Sequence, residues 1–105
     1  MNQIILKCQL VKKFDPFQTK NGGVIQEAIV QTYKYMNGDP KTPADVVKIG
    51  TYGKASEQLS CLNIGDDILA IGKAITREVE KDGKIFYPTD VTIYEIYKAA
   101  PDYIF

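Results

Sequence analysis

Three short runs in this 105-residue chain set aromatic rings beside lysines: Tyr33-Lys34-Tyr35, Tyr52-Gly53-Lys54 and Lys84-Ile85-Phe86-Tyr87. A planar ring offers a face on which a nucleobase stacks, worth about 1–3 kcal/mol per base, and a nearby ammonium meets the phosphate. Rings interleaved with cations are what a protein needs to hold an unpaired polynucleotide without reading its sequence. The same rings are common in any β-sheet, where they pack well on a pleated surface. Singly, each reads as readily as core; three clusters together point to an interface. Lys48 and Arg77 add candidate phosphate contacts. The competing role for Arg77 is an exposed ion pair with Glu78, Glu80 or Asp82.

The inventory excludes several other chemistries. Thirteen basic and thirteen acidic residues leave no net charge, so no strong overall field draws in polyanions. Arg77 is the only arginine, which rules out an array of guanidinium forks reading bases. Lys7, Lys12, Lys13 and Lys20 against Asp15 make the first quarter locally basic, which a solvated strand face explains as well as phosphate binding does. With no histidine, and with Cys8 and Cys61 far apart, neither a zinc site nor a histidine-activated nucleophile is expected. The two thiols read as reduced and half-buried. Asp66 and Asp67 are adjacent, so on a strand they point to opposite faces and cannot converge on one substrate; a turn role fits them better. The chain is thus expected to be no enzyme and to carry no cofactor. Its only N-terminal apolar run, Ile4 to Leu6, is too short for a signal peptide or a membrane span, so a cytoplasmic protein is expected.

Periodicity supplies the scaffold. From Asn2 to Val11, Ile4, Leu6, Cys8 and Leu10 alternate with Ile5, Lys7, Gln9 and Val11, the pattern of a half-buried strand. Lys12 to Gly23 is a turn region, and Val24 to Tyr35 a long second strand able to curl and serve two neighbours. Met36 to Asp45, with Gly38, Pro40 and Pro43, reads as a polar loop. Val46 to Tyr52 is a third strand. Ala55, Leu59 and Leu62 then fall at helical offsets within Lys54–Leu62. After Gly65-Asp66, a fourth strand runs from Asp67, bending at Gly72, to about Glu80. Asp82-Gly83 supplies a hairpin turn, and Ile85 to Tyr97 the fifth strand, with Pro88 at a bulge or edge. Five strands with one short helix between the third and fourth make an all-β chain with the order of an OB-fold barrel. The domain is expected to span 1–98, leaving 99–105 as a short tail.

The run Tyr52-Gly53-Lys54-Ala55-Ser56-Glu57, followed by Gly65-Asp66 and Gly72, resembles the single-stranded-DNA-binding proteins of bacteria and their phages. Asn2 to Leu6, Asn21-Gly22-Gly23 and the Ile75–Tyr87 stretch around Arg77 resemble the same family's hairpins. The resemblance implies binding of single-stranded DNA in replication, recombination or repair, by a homo-oligomer, tetramer or dimer. Where the family stacks bases on tryptophans, this chain has none; Tyr33 or Tyr35, Tyr52, and Phe86 or Tyr87 stand near those places. The tail tip ending in Phe105 is similar to the family's partner-recruiting tip, which implies contact with replication proteins. Zero net charge and the missing tryptophans favour a rival, an OB-fold adaptor of a replication or primosome complex.

Overall fold

Alternation in the first residues becomes one stave of a barrel. The computed structural model of the chain describes residues 2–36 and 39–98, without the side chains of 34–36 and 39–42. β1 (Ile4–Lys13) buries Cys8 and Leu10 completely or nearly so, and leaves Ile5 and Val11 exposed. It is followed by the two-residue β2 (Phe17–Gln18), then β3 (Val24–Met36) and β4 (Asp39–Tyr52). The helix α1 (Lys54–Ser60) leads to β5 (Asp67–Thr76), the ribbon β6 (Val79–Lys81) and β7 (Lys84–Phe86), and finally β8 (Thr89–Lys98). β1 pairs antiparallel with β5, β5 with β8, β4 with β3, and β3 again with β1; β8 and β4 run parallel and complete the ring. Five strands thus close on themselves with the helix between the third and fourth staves, which is the OB-fold.

The barrel interior is filled from every stave: Cys8 and Leu10, Ala28 and Val30, Ile49, Ile68 and Ala70, Ile93 and Ile96. The helix closes one end with Ala55, Leu59 and Leu62, the residues its periodicity selects. Leu59 is fully buried, so truncation to alanine costs about 2–5 kcal/mol, through lost transfer energy plus the cavity left behind. Regular helix ends at Ser60, two residues before the expected Leu62. Cys61 and Leu62 then donate to the carbonyls of Gln58 and Leu59, a tighter turn that still carries Leu62 into the core. The bend at Gly72 has a steric cause. β5 shifts register against β8 there, and a Cβ would overlap the Thr92 carbonyl.

Three boundaries differ from the sequence expectation. The expected loop over 36–45 is largely strand: past Thr32, β3 leaves β1 and pairs with β4 alone, so the two form a hairpin beyond the closed ring. Pro43 sits there between two register shifts, at a two-stranded edge where a missing N–H is tolerated. The expected fourth strand stops at Thr76 instead of Glu80, because the Arg77 N–H turns to the Pro88 carbonyl and starts a separate ribbon. Pro88, lacking an N–H, likewise splits the expected fifth strand into β7 and β8. At the ribbon's tip Asp82 and Gly83 both take positive φ, as the two-residue turn requires. The tail 99–105, with Phe105, lies outside the described residues. Among the described residues no helix is long and apolar enough to cross a membrane.

Candidate nucleic-acid interface

Strand register builds a groove on the outer wall of the barrel. Phe17 pairs with Ile25 and Ile25 with Tyr52, so β2, β3 and β4 present these three side chains in one outward row. Phe17 is 49 % exposed and Tyr52 38 %. Two residues further along, Glu27 faces Gly50, and Gly50 faces Thr92 of β8. A Cβ at Gly50 would meet nothing within 4 Å, so the glycine leaves the groove floor open. The groove holds about 270 Å3 and is walled by Lys48 and Glu27 on one side and Asp90 on the other.

The charges around it are paired. Lys48 Nζ lies 3.3 Å from Glu27 Oε2 and 6.0 Å from the centre of the Phe14 ring, which also carries Lys12 Nζ at 5.0 Å. The backbone N–H of Phe14 donates to the Glu27 carbonyl at 3.0 Å, so ring, lysines and carboxylate are anchored to one strand. Each such cation–π contact is worth about 0.5–1 kcal/mol at an exposed site, enough to bias where a lysine head rests. Opposite them, Arg77 Nε donates to Asp90 Oδ2 at 2.5 Å and Nη2 to Oδ1 at 3.4 Å. A Thr76–Thr89 hydroxyl hydrogen bond of 2.9 Å lies beside this pair, and together they tie the base of the β6–β7 ribbon to β8. Arg77 therefore makes an exposed ion pair, the competing role named for it, but with Asp90 and not with Glu78, Glu80 or Asp82.

The predicted residues separate into groups. Lys48 and Tyr52 line the groove, and Arg77 stands beside it through Asp90. Lys84, Phe86 and Tyr87 share the ribbon and the segment leading from it; Phe86 is 49 % and Tyr87 63 % exposed. Lys54 opens the helix and lines a different cleft, with Cys61, Leu62, Ile96 and Lys98. Tyr33 also lies apart, lining a cleft with Ile5, Lys7 and Val47. Its hydroxyl donates to Asp67 Oδ1 at 3.0 Å, which spends the polar end of the ring on the barrel. The side chains of Lys34 and Tyr35 lie outside the described residues.

Burial and the Asp67 carboxylate push the Tyr33 phenol up from 10.0 to about 12, first by desolvation and then by the hydrogen bond that needs its proton. The buried Cys8 thiol is pushed up from 9.0 to about 12 by desolvation, with Asp67 adding to it. Both groups stay neutral at physiological pH, so neither serves as a nucleophile. Asp66 accepts from the Asn63 N–H at 2.8 Å and meets Lys98 at 3.7 Å, a turn function in line with its sequence. Among the described residues no cluster of three or more acidic, cysteine or histidine side chains could hold a metal ion.

Sequence reasoning missed Phe14, Phe17 and Ile25. The first two sit in the stretch read only as turn, yet Lys12-Lys13-Phe14 and Phe17-Gln18-Thr19-Lys20 carry the same ring-beside-lysine signal used elsewhere. Ile25 needed the register, because its partner across β3–β4 is not readable from local pattern.

No family model matches the chain, and no curated protein sequence does. Its shape is similar to many solved structures, and two illustrate the likeness. One is the SSB of Plasmodium falciparum in complex with single-stranded DNA, with TM-score 0.71 and 16 % identity over 95 % of this chain and 96 % of that one. The other is the protein PriB of Ralstonia solanacearum, with TM-score 0.69 and 15 % identity over 94 % of this chain and 99 % of that one. The likeness is one of fold: the same OB barrel over nearly the whole chain.

Proposed function

We propose that the chain is a sequence-independent single-stranded DNA-binding protein acting in DNA replication, recombination or repair. The observation that carries this reading is the outward row Phe17–Ile25–Tyr52 beside the open floor at Gly50 and the Lys48 ammonium. The likeness in fold to an SSB whose structure holds single-stranded DNA supports it. Bases stack on Phe17 and Tyr52, while phosphates take the ammonium groups of Lys48 and Lys84 and draw Arg77 partly from Asp90. The Phe86 and Tyr87 rings cover the strand from the ribbon side. Tyr33, Lys34, Tyr35 and Lys54 meet the strand only where it runs past the groove. Tyrosine fluorescence titrated with dT oligomers at two salt concentrations tests the reading. Quenching that weakens with salt is expected, and an unchanged signal at low salt overturns it.

The protein acts as a homo-oligomer, dimer or tetramer. Ile5 and Val11 are 55 % and 45 % exposed on the outward face of β1, where a second copy would cover them. Light scattering that returns the mass of one chain overturns this part. The rival adaptor reading draws on the pairing of Lys48 and Arg77 with carboxylates and on the exposed Ile85, Phe86 and Tyr87 of the ribbon. It predicts no response to dT oligomers and a stable complex with a replication protein, which Phe105 of the tail would help to hold.

A further inference from the structure

Tyr52 forms a wall between the groove and a second, larger cavity that the stacking reading leaves unused. This cavity, of about 620 Å3, lies between the turn after β2 and the exposed side of α1. Its volume falls within the roughly 300–1,000 Å3 of small-molecule sites and admits a base with its sugar. Val24, Ile25 and the Tyr52 ring supply apolar surface, and Gln26, Ser56 and Glu57 supply polar groups. Among the described residues no lysine or arginine lines it, so a phosphate finds no counter-charge from them there.

The polar wall is biased toward accepting hydrogen bonds. Gln26 is 6 % exposed, and its Nε2 donates to the Phe14 carbonyl at 2.9 Å, which identifies the acceptor end of the amide. Its Oε1 is buried with no hydrogen-bond partner. An acceptor left in this state carries a penalty that a donor arriving with a ligand would relieve. The Glu57 carboxylate, when ionised, only accepts. The fitting ligand is flat, uncharged at its inserted end and rich in N–H groups.

We propose that this cavity is a subsite for one unpaired nucleobase carrying an exocyclic amino group, cytosine or adenine, with its N–H groups directed to Glu57 and, once the recessed amide turns toward the cavity, to Gln26 Oε1. The proposal rests on the single-strand reading above: a strand stacked on the groove side of Tyr52 can place a neighbouring base behind the ring. Thymine is disfavoured, because its single N3–H is flanked by two carbonyl oxygens that would face the carboxylate. Cytosine N4 donating to an acidic side chain is an established form of base recognition.

The test is competition of unlabelled dC, dA and dT oligomers of equal length against one fluorescent strand, using the full chain at fixed salt. The intact protein should favour dC over dT by about fivefold, the scale of one net hydrogen bond. Glu57→Gln, at an exposed helix position and able to donate as well as accept, should shrink that ratio to under about twofold. Gln26→Met should do the same where it folds; Glu57→Gln carries the test if it does not. Equal binding of all three oligomers overturns the subsite and leaves the single-strand reading standing. A dC preference that survives Glu57→Gln unchanged also overturns the subsite, and no binding of any oligomer overturns both readings.

Discussion

Alanine at Phe17 and at Tyr52 tests the stacking surface at its two ends. The rings sit on β2 and β4, two strand spacings apart, or about 10 Å, so they serve different bases of one bound strand. Each is half-exposed before binding, so the lower part of the stacking range, about 1–1.5 kcal/mol, applies to each. That corresponds to a roughly five- to tenfold loss in affinity for either single variant. Because the rings share no base and stand about 10 Å apart, the double variant should lose the product, on the order of 25- to 100-fold. The assay is fluorescence anisotropy of a labelled dT oligomer at low salt, with thermal melting of each variant as a folding control. Melting should shift little, since neither ring belongs to the barrel core. A single variant that binds within twofold of the parent refutes the platform. So does a double variant no worse than a single one, for then the row is not shared.

Three further outcomes follow from the same geometry. The slope of log affinity against log salt should be no steeper than about −3.5, at roughly −0.7 for each of Lys34, Lys48, Lys54, Arg77 and Lys84; anisotropy titrations across a salt series read it, and a slope beyond about −4 would place the main contacts elsewhere. Alkaline stability should fall along a defined course: the folded-state pKa values of Cys8 and Tyr33 are raised from 9.0 and 10.0 to about 12, so their contribution is full below pH 9, declines as pH rises and is lost by pH 12. Melting temperatures through that window should fall less steeply for Tyr33→Phe than for the parent; equal slopes would remove the Tyr33–Asp67 hydrogen bond from the account. Gly72→Ala should lower stability by about 2–3 kcal/mol, or melting by roughly 10–20 °C, because the new methyl overlaps backbone and not a side chain that can rotate away; a melting temperature within a few degrees of the parent contradicts that.

The fold was legible because the barrel asks for little more than alternation and punctuation. Leu6, Cys8 and Leu10 mark an inner face, Ala55, Leu59 and Leu62 mark a plug, and Asp82-Gly83 marks a reversal. Boundaries were misread where pairing overrides local chemistry. Pro43 looks like loop, yet it is carried in β4 because a two-stranded edge forgives its missing N–H. The groove was legible in part. Lys48 and Tyr52, which line it, were readable because ring and cation are close in sequence to a strand with clear parity. Phe17 and Ile25 were not, since what makes them neighbours of Tyr52 is register across three strands. Tyr33 looked equivalent to Tyr52 on composition, but the carboxylate that holds its hydroxyl comes from a strand more than thirty residues away.

The parallel contact between β4 and β8 rests on three rungs, Ile49 to Val91, Gly50 to Thr92 and Thr51 to Ile93. β8 is the last stave to leave the ribosome, and until it arrives both β4 and β5 expose an open hydrogen-bonding edge. The hairpin of β3 and β4 can form early from nearby residues, but joining it to the C-terminal stave means closing a long loop, which slows folding. Nascent or truncated chains that lack β8 are therefore the species most exposed to edge-to-edge association. The wall that would carry nucleic acid is finished only at that final step, so an incomplete chain also lacks a finished groove with which to occupy DNA.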